Sequence, residues 1–200
     1  MGYSSFTLEK VKKQFNLYEE NITLFDNINT QPVSAWLDNF LGIGIPLALS
    51  SGTEKAKSEF IIAPILFELN QRNIDHFMIY SGKNFDVDFE QGLNGECDFM
   101  LSKGKMTRTI ESPIVALIEA KDHDIDKYLG QCVAQMVAAQ LFNAQEGLTI
   151  DTIFGCVTTG ETWQFLKLIE KNLLIDKNRY YINNIALLFG VLQKILDIYL

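Results

Sequence analysis

Residues 114–121 read Ile-Val-Ala-Leu-Ile-Glu-Ala-Lys. An unbroken apolar run rich in β-branched side chains is the pattern of a strand buried inside a sheet, because a strand with one wet face alternates instead. The run ends in a carboxylate and an ammonium two positions apart, and the period of two puts Glu119 and Lys121 on one face. Opposite charges at the mouth of a core strand are costly to desolvate unless they are paired or used. This strand end is therefore the first candidate for a functional site.

A chain of 200 residues, 48% hydrophobic, can cover such a strand with one ordinary core, so a single domain over residues 1–200 is expected. The formal charge of −8 argues against a protein that coats nucleic acid with its whole surface, and leaves room only for a local basic groove. Cys97, Cys132 and Cys156 are far apart, form no Cys-x-x-Cys pair and have only His76 and His123 to join them. A zinc site is not expected, and three thiols in apolar segments fit buried cysteines in a reducing cytoplasm. The first residues lack a basic segment followed by an apolar stretch, so no signal peptide is read. The apolar runs are too short or too interrupted to span a bilayer. A cytoplasmic protein without a membrane partner is expected, in which the Asn21-Ile22-Thr23 sequon is inert.

Thr7 is placed to cap a short helix through Leu8, Val11, Phe15 and Leu17, with Lys10, Lys12 and Lys13 outside. A second short helix is expected over residues 33–41. Gly42 and Gly44 have dinucleotide-loop spacing but Leu47 stands where the third glycine belongs, so the stretch 41–46 reads as a turn. Thr53 caps a longer helix through Leu69, in which Pro64 predicts a kink or a break. Strands are expected over 76–80, 96–101 and 114–121, a long helix over 124–142, and a hairpin of strands 152–158 and 162–168 around Thr159-Gly160-Glu161. A helix over 185–199 carries Leu188, Leu192, Ile195, Leu196 and Tyr199 on one face. Ala186, Val191 and Ile198 widen that surface, which suits core packing and also a homodimer contact.

In residues 95–101, alternation puts Glu96, Asp98 and Met100 on one face and Cys97, Phe99 and Leu101 on the other. If this strand pairs with 114–121, the Asp98 and Glu119 carboxylates sit close together, which favours a cation between them. An oxygen-only pair suits Mg²⁺ or Mn²⁺, which lowers the pKa of a bound water and stabilises charge developing on a phosphate. Lys121 beside Glu119 is positioned to orient the attacking water and neutralise the transition state; acting as a base would require a strongly lowered pKa. Asp98, Glu119 and the Lys121 amine are expected to meet in one solvent-open cleft. Glu59, and Gln131 with Gln135 one helical turn apart, are candidates to border it.

Taken in order, a helix with Glu59, a strand with Asp98, the Glu119-Ala120-Lys121 strand end and a following helix with Gln131 resemble the PD-(D/E)XK nuclease superfamily, whose restriction-endonuclease-like fold has an αβββαβ core. Residues 154–165 resemble the late hairpin of restriction-enzyme-like members, and the resemblance spans about 54–168. It implies an α/β fold with a mixed central sheet flanked by helices, with an N-terminal helical segment (7–50) and a C-terminal helix (185–199) added to the core. It implies that Asp98, Glu119 and the Ala120 carbonyl bind the divalent metal and that Lys121 is the catalytic lysine. Glu59 becomes the helix acid and Gln131 the assisting helix residue; apart from the resemblance, Gln135 is an accessory candidate from its place one turn from Gln131, and His123, close to Lys121, is either an accessory group that touches the phosphate or a plain surface histidine. Cys97 replaces the proline of the motif. The substrate implied is nucleic acid, DNA first, and the activity a Mg²⁺-dependent endonuclease. The alternative is a catalytically inactive interaction module on the same fold, dimeric through the C-terminal helix.

Competing motifs fail. Residues 122–126 have the acids of a calcium loop, but Lys127 holds the glycine position and Val133 the closing glutamate position. Gly82-Lys83-Asn84 lacks the rest of a phosphate loop, and no Gly-x-Ser-x-Gly elbow is present. Trp163 and Phe165, on a hairpin strand, are core residues before they are base-stacking ones.

Overall fold

The computed structural model describes residues 2–200. Helix α1 (Leu8–Phe15) starts where Thr7 accepts a hydrogen bond from the Lys10 amide, and Asn16 ends it in the left-handed conformation. Leu17 thus lies beyond the helix, although it is buried. Strand β1 (Tyr18–Ile22) follows, then α2 (Ala35–Ser51), α3 (Glu54–Lys57), a π-helical turn (Ser58–Ile62) and α4 (Ala63–Arg72). Three strands, β2 (Phe77–Asn84), β3 (Glu96–Lys103) and β4 (Ile114–Ala120), lead into the long α5 (Ile125–Gln145). The chain ends with β5 (Thr152–Thr158), β6 (Thr162–Ile169), β7 (Asn172–Tyr181) and α6 (Ile185–Asp197).

All seven strands form one mixed sheet in the order β1-β7-β6-β5-β4-β3-β2. The β4–β5 and β1–β7 pairs are parallel and the rest antiparallel. β4 lies within the sheet with every residue buried, as its apolar run requires. Helices α1 and α5 cover one face, packing with Leu117, Val157, Leu166 and Leu173; α2, α4 and α6 cover the other, with Ile118, Phe154 and Phe165. The result is a three-layer α/β architecture around a buried sheet. Trp163 and Phe165 belong to that core, and the three cysteines are buried and free. Among the described residues, no helix is long and apolar enough to cross a membrane.

Four expectations change. The segment 41–46 is not a turn: it is the middle of α2, which begins with Ser34 accepting from the Leu37 amide and runs to Ser51 with Pro46 inside it. Packing overrides the local signals, because Gly44 is buried where a Cβ would stand 2.5 Å from the Phe60 carbonyl oxygen. That carbonyl lies four residues before Pro64, which has no N–H to give it. Pro64 nonetheless does not end the helical path, because it stands in the first turn of α4; the irregularity is the π turn just before it, and the path continues to Arg72.

The alternation expected in β3 also fails at one end. Phe99 and Leu101 do share a face, but Cys97 packs with Met100 in the opposite layer. Gly82, at φ 60°, lies between the Ser81–Phe99 and Lys83–Cys97 pairs and interrupts the pleat there. Finally, the sheet is wider than the stretch 54–168, since β7 and β1 extend it.

Candidate functional site

β4 reaches the surface between β3 and β5, and its parallel pairing with β5 continues one residue further when the Lys121 amide donates to the Thr158 carbonyl at 2.8 Å. On the other side, the Ala120 amide donates to Asp98 Oδ2 at 2.8 Å. The strand end is thus held by the backbone ladder on one side and by a side-chain carboxylate on the other. These two contacts fix the direction in which Glu119 and Lys121 project.

Lys121 is the centre of the group. Its Nζ lies 2.7 Å from Glu119 Oε1, 3.6 Å from Glu54 Oε1 and 4.0 Å from Asp98 Oδ2, and sits 5.0 Å from the centre of the Tyr128 ring. Burial alone would lower its pKa, but the three carboxylates outweigh that and hold the ammonium above its ordinary value. Glu119 is only 2% exposed. It accepts from Gln135 Nε2 at 2.8 Å through Oε2, and from Gln131 and Lys121 through Oε1. Burial first, and the neighbouring Asp98 second, push its carboxyl up to about 7, although Lys121 and Gln135 favour the charged form. Tyr128, Gln131 and Gln135 reach this place together because positions i, i+3 and i+7 lie on one face of α5.

Next to this buried pair is an open cleft of about 300 Å³, walled by Glu54, Lys55 and Glu59 from the α3 region, Glu96 and Asp98 from β3, and Ala120. Asp98, Glu119 and Lys121 do converge, but only Asp98 lines the open cleft. The two glutamines of α5 close over Glu119 from behind. Glu59 stands on the rim, half exposed and paired with Lys55 at 2.7 Å. His123 is turned to solvent, its side chain 69% exposed, and pairs with Asp122 at 2.5 Å. The carboxylate closest to Lys121 after Glu119 is Glu54, which sequence reasoning passed over. Its signal was present, since it follows the Thr53 cap directly and lies one turn before Ser58 and Glu59 on the same helix.

The donor set in and beside the cleft is made of oxygen: Asp98, Glu119 behind it and the Ala120 carbonyl. Among the described residues, no group of three or more His, Cys, Asp or Glu side chains is arranged as a metal cage. Mg²⁺ does not require one, because it binds through one or two carboxylates and keeps several waters. Three carboxylates, Glu54, Asp98 and Glu119, gather around the single Lys121 ammonium, an excess of negative charge that a divalent cation would offset, so these residues fit such an ion.

What the fold and site define is an α/β protein with a buried carboxylate–lysine pair at the end of a central strand, beside an acidic cleft. Comparison with protein-family models, with curated proteins and with solved structures gives no match.

Proposed function

We propose that this chain is a metal-dependent phosphodiesterase acting on nucleic acid, DNA in the first place, with the restriction-endonuclease-like arrangement as its core. The observation that carries the reading is the convergence of Asp98 and Glu119 on Lys121, with Gln131 donating to Glu119, at the edge of an open cleft. The succession α4, β2, β3, β4, α5, β5, with β5 parallel to β4, supports the αβββαβ reading.

Asp98, Glu119 and the Ala120 carbonyl would hold Mg²⁺ or Mn²⁺. When bound, such an ion supplies Lewis-acid stabilisation of a phosphoryl oxygen and a more acidic water. The chain's own groups divide the remaining work. The Lys121 ammonium, kept charged by its carboxylate neighbours, cannot serve as the base near neutral pH; it orients a water and offsets negative charge on the phosphate. Gln131 and Gln135 fix the rotamer of Glu119, and Tyr128 covers the lysine. Glu54 holds Lys121 from the cleft side, and Glu59 shares the rim.

The test is nicking of a supercoiled plasmid in Mg²⁺, expected for the wild-type chain and absent in Glu119→Ala and Lys121→Ala. Cleavage that persists in both variants sinks the assignment. A second reading is favoured by one feature: Glu119 is already satisfied by Lys121, Gln131 and Gln135, as in a purely structural network. That module would bind no Mn²⁺ in calorimetry and cleave neither DNA nor RNA.

A further inference from the structure

We infer that the outer face of α2 is the contact surface of a symmetric homodimer. Most of the helices bury one apolar face and wet the other, but α2 has two apolar faces. Leu37, Leu41, Gly44 and Ala48 face the core. Trp36, Phe40, Ile43 and Leu47 recur at i, i+4, i+7 and i+11 and form a separate stripe. Ile43 is 75% exposed, Leu47 49% and Trp36 46%. The Trp36 ring lies 5.6 Å from Phe40 and 5.5 Å from Phe67 of α4, itself 51% exposed, so the stripe and its neighbour form one continuous patch. Asp38 is the one charged residue in the 17 residues of α2.

Its size and shape favour a second copy of this chain as the occupant. The patch leaves roughly 400–500 Å² of apolar surface in water, the range of the largest patches on soluble monomers. Doubled across a two-fold axis, the apolar area alone approaches the roughly 1,000 Å² that a biological interface needs to clear, before the polar rim is added. The stripe is also self-complementary. Two α2 helices running antiparallel about an axis at Leu41 and Gly42 set Trp36 against the partner subunit's Leu47, and Phe40 against the partner subunit's Ile43. Each pairing matches an aromatic ring with a smaller aliphatic side chain. Asp38, roughly 160° around the helix from Trp36, stays clear of the contact.

A membrane surface fits less well. Helices that lie on bilayers carry Lys and Arg beside the apolar stripe; α2 has neither, in a chain of net charge −8. The α6 surface offers little in its place. Leu188, Val191, Leu192, Ile195 and Leu196 are buried in this chain's own core, which leaves Ile198 and Leu200 as its exposed large apolar residues.

Sedimentation velocity of the full chain over a range of micromolar concentrations tests the inference. The wild type is expected at twice the 22.7 kDa monomer mass, and Ile43→Glu is expected to weaken the dimer by at least about 30-fold. Ile198→Glu should leave it intact, and Ile43→Cys, on the stripe and beside the two-fold axis, should form a disulfide between subunits on mild oxidation. A wild-type chain that stays monomeric, a dimer that survives Ile43→Glu or is lost in Ile198→Glu, or a monomer that floats with phosphatidylcholine vesicles overturns it. If Ile43→Glu disturbs the far-UV circular dichroism, the Ile43→Cys cross-link decides alone, and its failure to form overturns the inference.

Discussion

Raising the pH from 5 to 8 without a divalent cation forces Glu119 to ionise inside the folded protein, and the cost can be worked out. The carboxyl titrates at about 7 in the fold against 4.5 as its ordinary value. The native state therefore holds this proton more tightly than the unfolded chain, and stability falls as pH rises through that interval. At roughly 1.4 kcal/mol for each pH unit, the loss is about 3 kcal/mol, complete above pH 7 and absent below 4.5. Lys121 titrates above its ordinary 10.5 and is silent in this window. Urea unfolding of the wild type and Glu119→Gln at pH 5, 6, 7 and 8 isolates the effect, because every other titrating group is common to both. The stability of the wild type relative to the variant is expected to drop by about 2.5 kcal/mol from pH 5 to pH 8, since the first part of the loss already falls below pH 5. Mg²⁺ added at pH 8 should restore part of that loss in the wild type and none in the variant. A difference constant to within about 0.5 kcal/mol over the whole range would refute the reasoning.

Other expectations concern how the layers are held. Gly130→Ala would place a Cβ 2.3 Å from the Thr7 carbonyl carbon and 2.5 Å from the Leu8 amide nitrogen, so the clash of α5 with the start of α1 should outweigh the gain in helix propensity. A net loss of about 2 kcal/mol in urea unfolding is expected. Thr53→Ala removes the bond from the Ala56 amide to the Thr53 hydroxyl and should cost about 1 kcal/mol by the same measurement, where no change would show that the cap is idle. Glu68 is buried, accepts from the Ser34 amide and hydroxyl, and pairs with Arg72, tying α2 to α4. Arg72→Met strands that charge, and a loss of about 2–3 kcal/mol is expected in thermal or urea unfolding.

Wherever one segment carried its own signal, the sequence was readable. The Thr7 and Thr53 caps, the buried run of β4, the hairpin around Gly160 and the glutamines of α5 follow from local chemistry and periodicity, and the structure brings the glutamines to Glu119. What could not be read depends on distant partners. β1 is a mostly exposed stretch, Tyr-Glu-Glu-Asn-Ile, that becomes a strand only by pairing in parallel with β7. β7 contains Asp176, Lys177, Asn178 and Arg179 in succession, which hides any alternation. Asp176 is nonetheless buried, satisfied by the Tyr180 hydroxyl and the Asn178 amide. In α2, the glycines and Pro46 pointed to a turn because the Phe60 carbonyl that makes Gly44 necessary is contributed by another helix.

The π turn at Ser58–Ile62 separates two jobs along a single helical path. Downstream, α4 is seated in the core through Ile65, Leu66 and Leu69. Upstream, Glu54 meets Lys121 and Lys57 reaches across to the Asp122 carbonyl at 2.7 Å. Taking out a single residue within the turn would convert it to ordinary α-helix and rotate everything upstream by roughly 100° relative to α4. The acid wall would swing off the β4 terminus while the hydrophobic layer kept its seat. This five-residue loosening of the helix acts as a phase adjuster, setting the angle at which one rod can serve both the interior and the cleft.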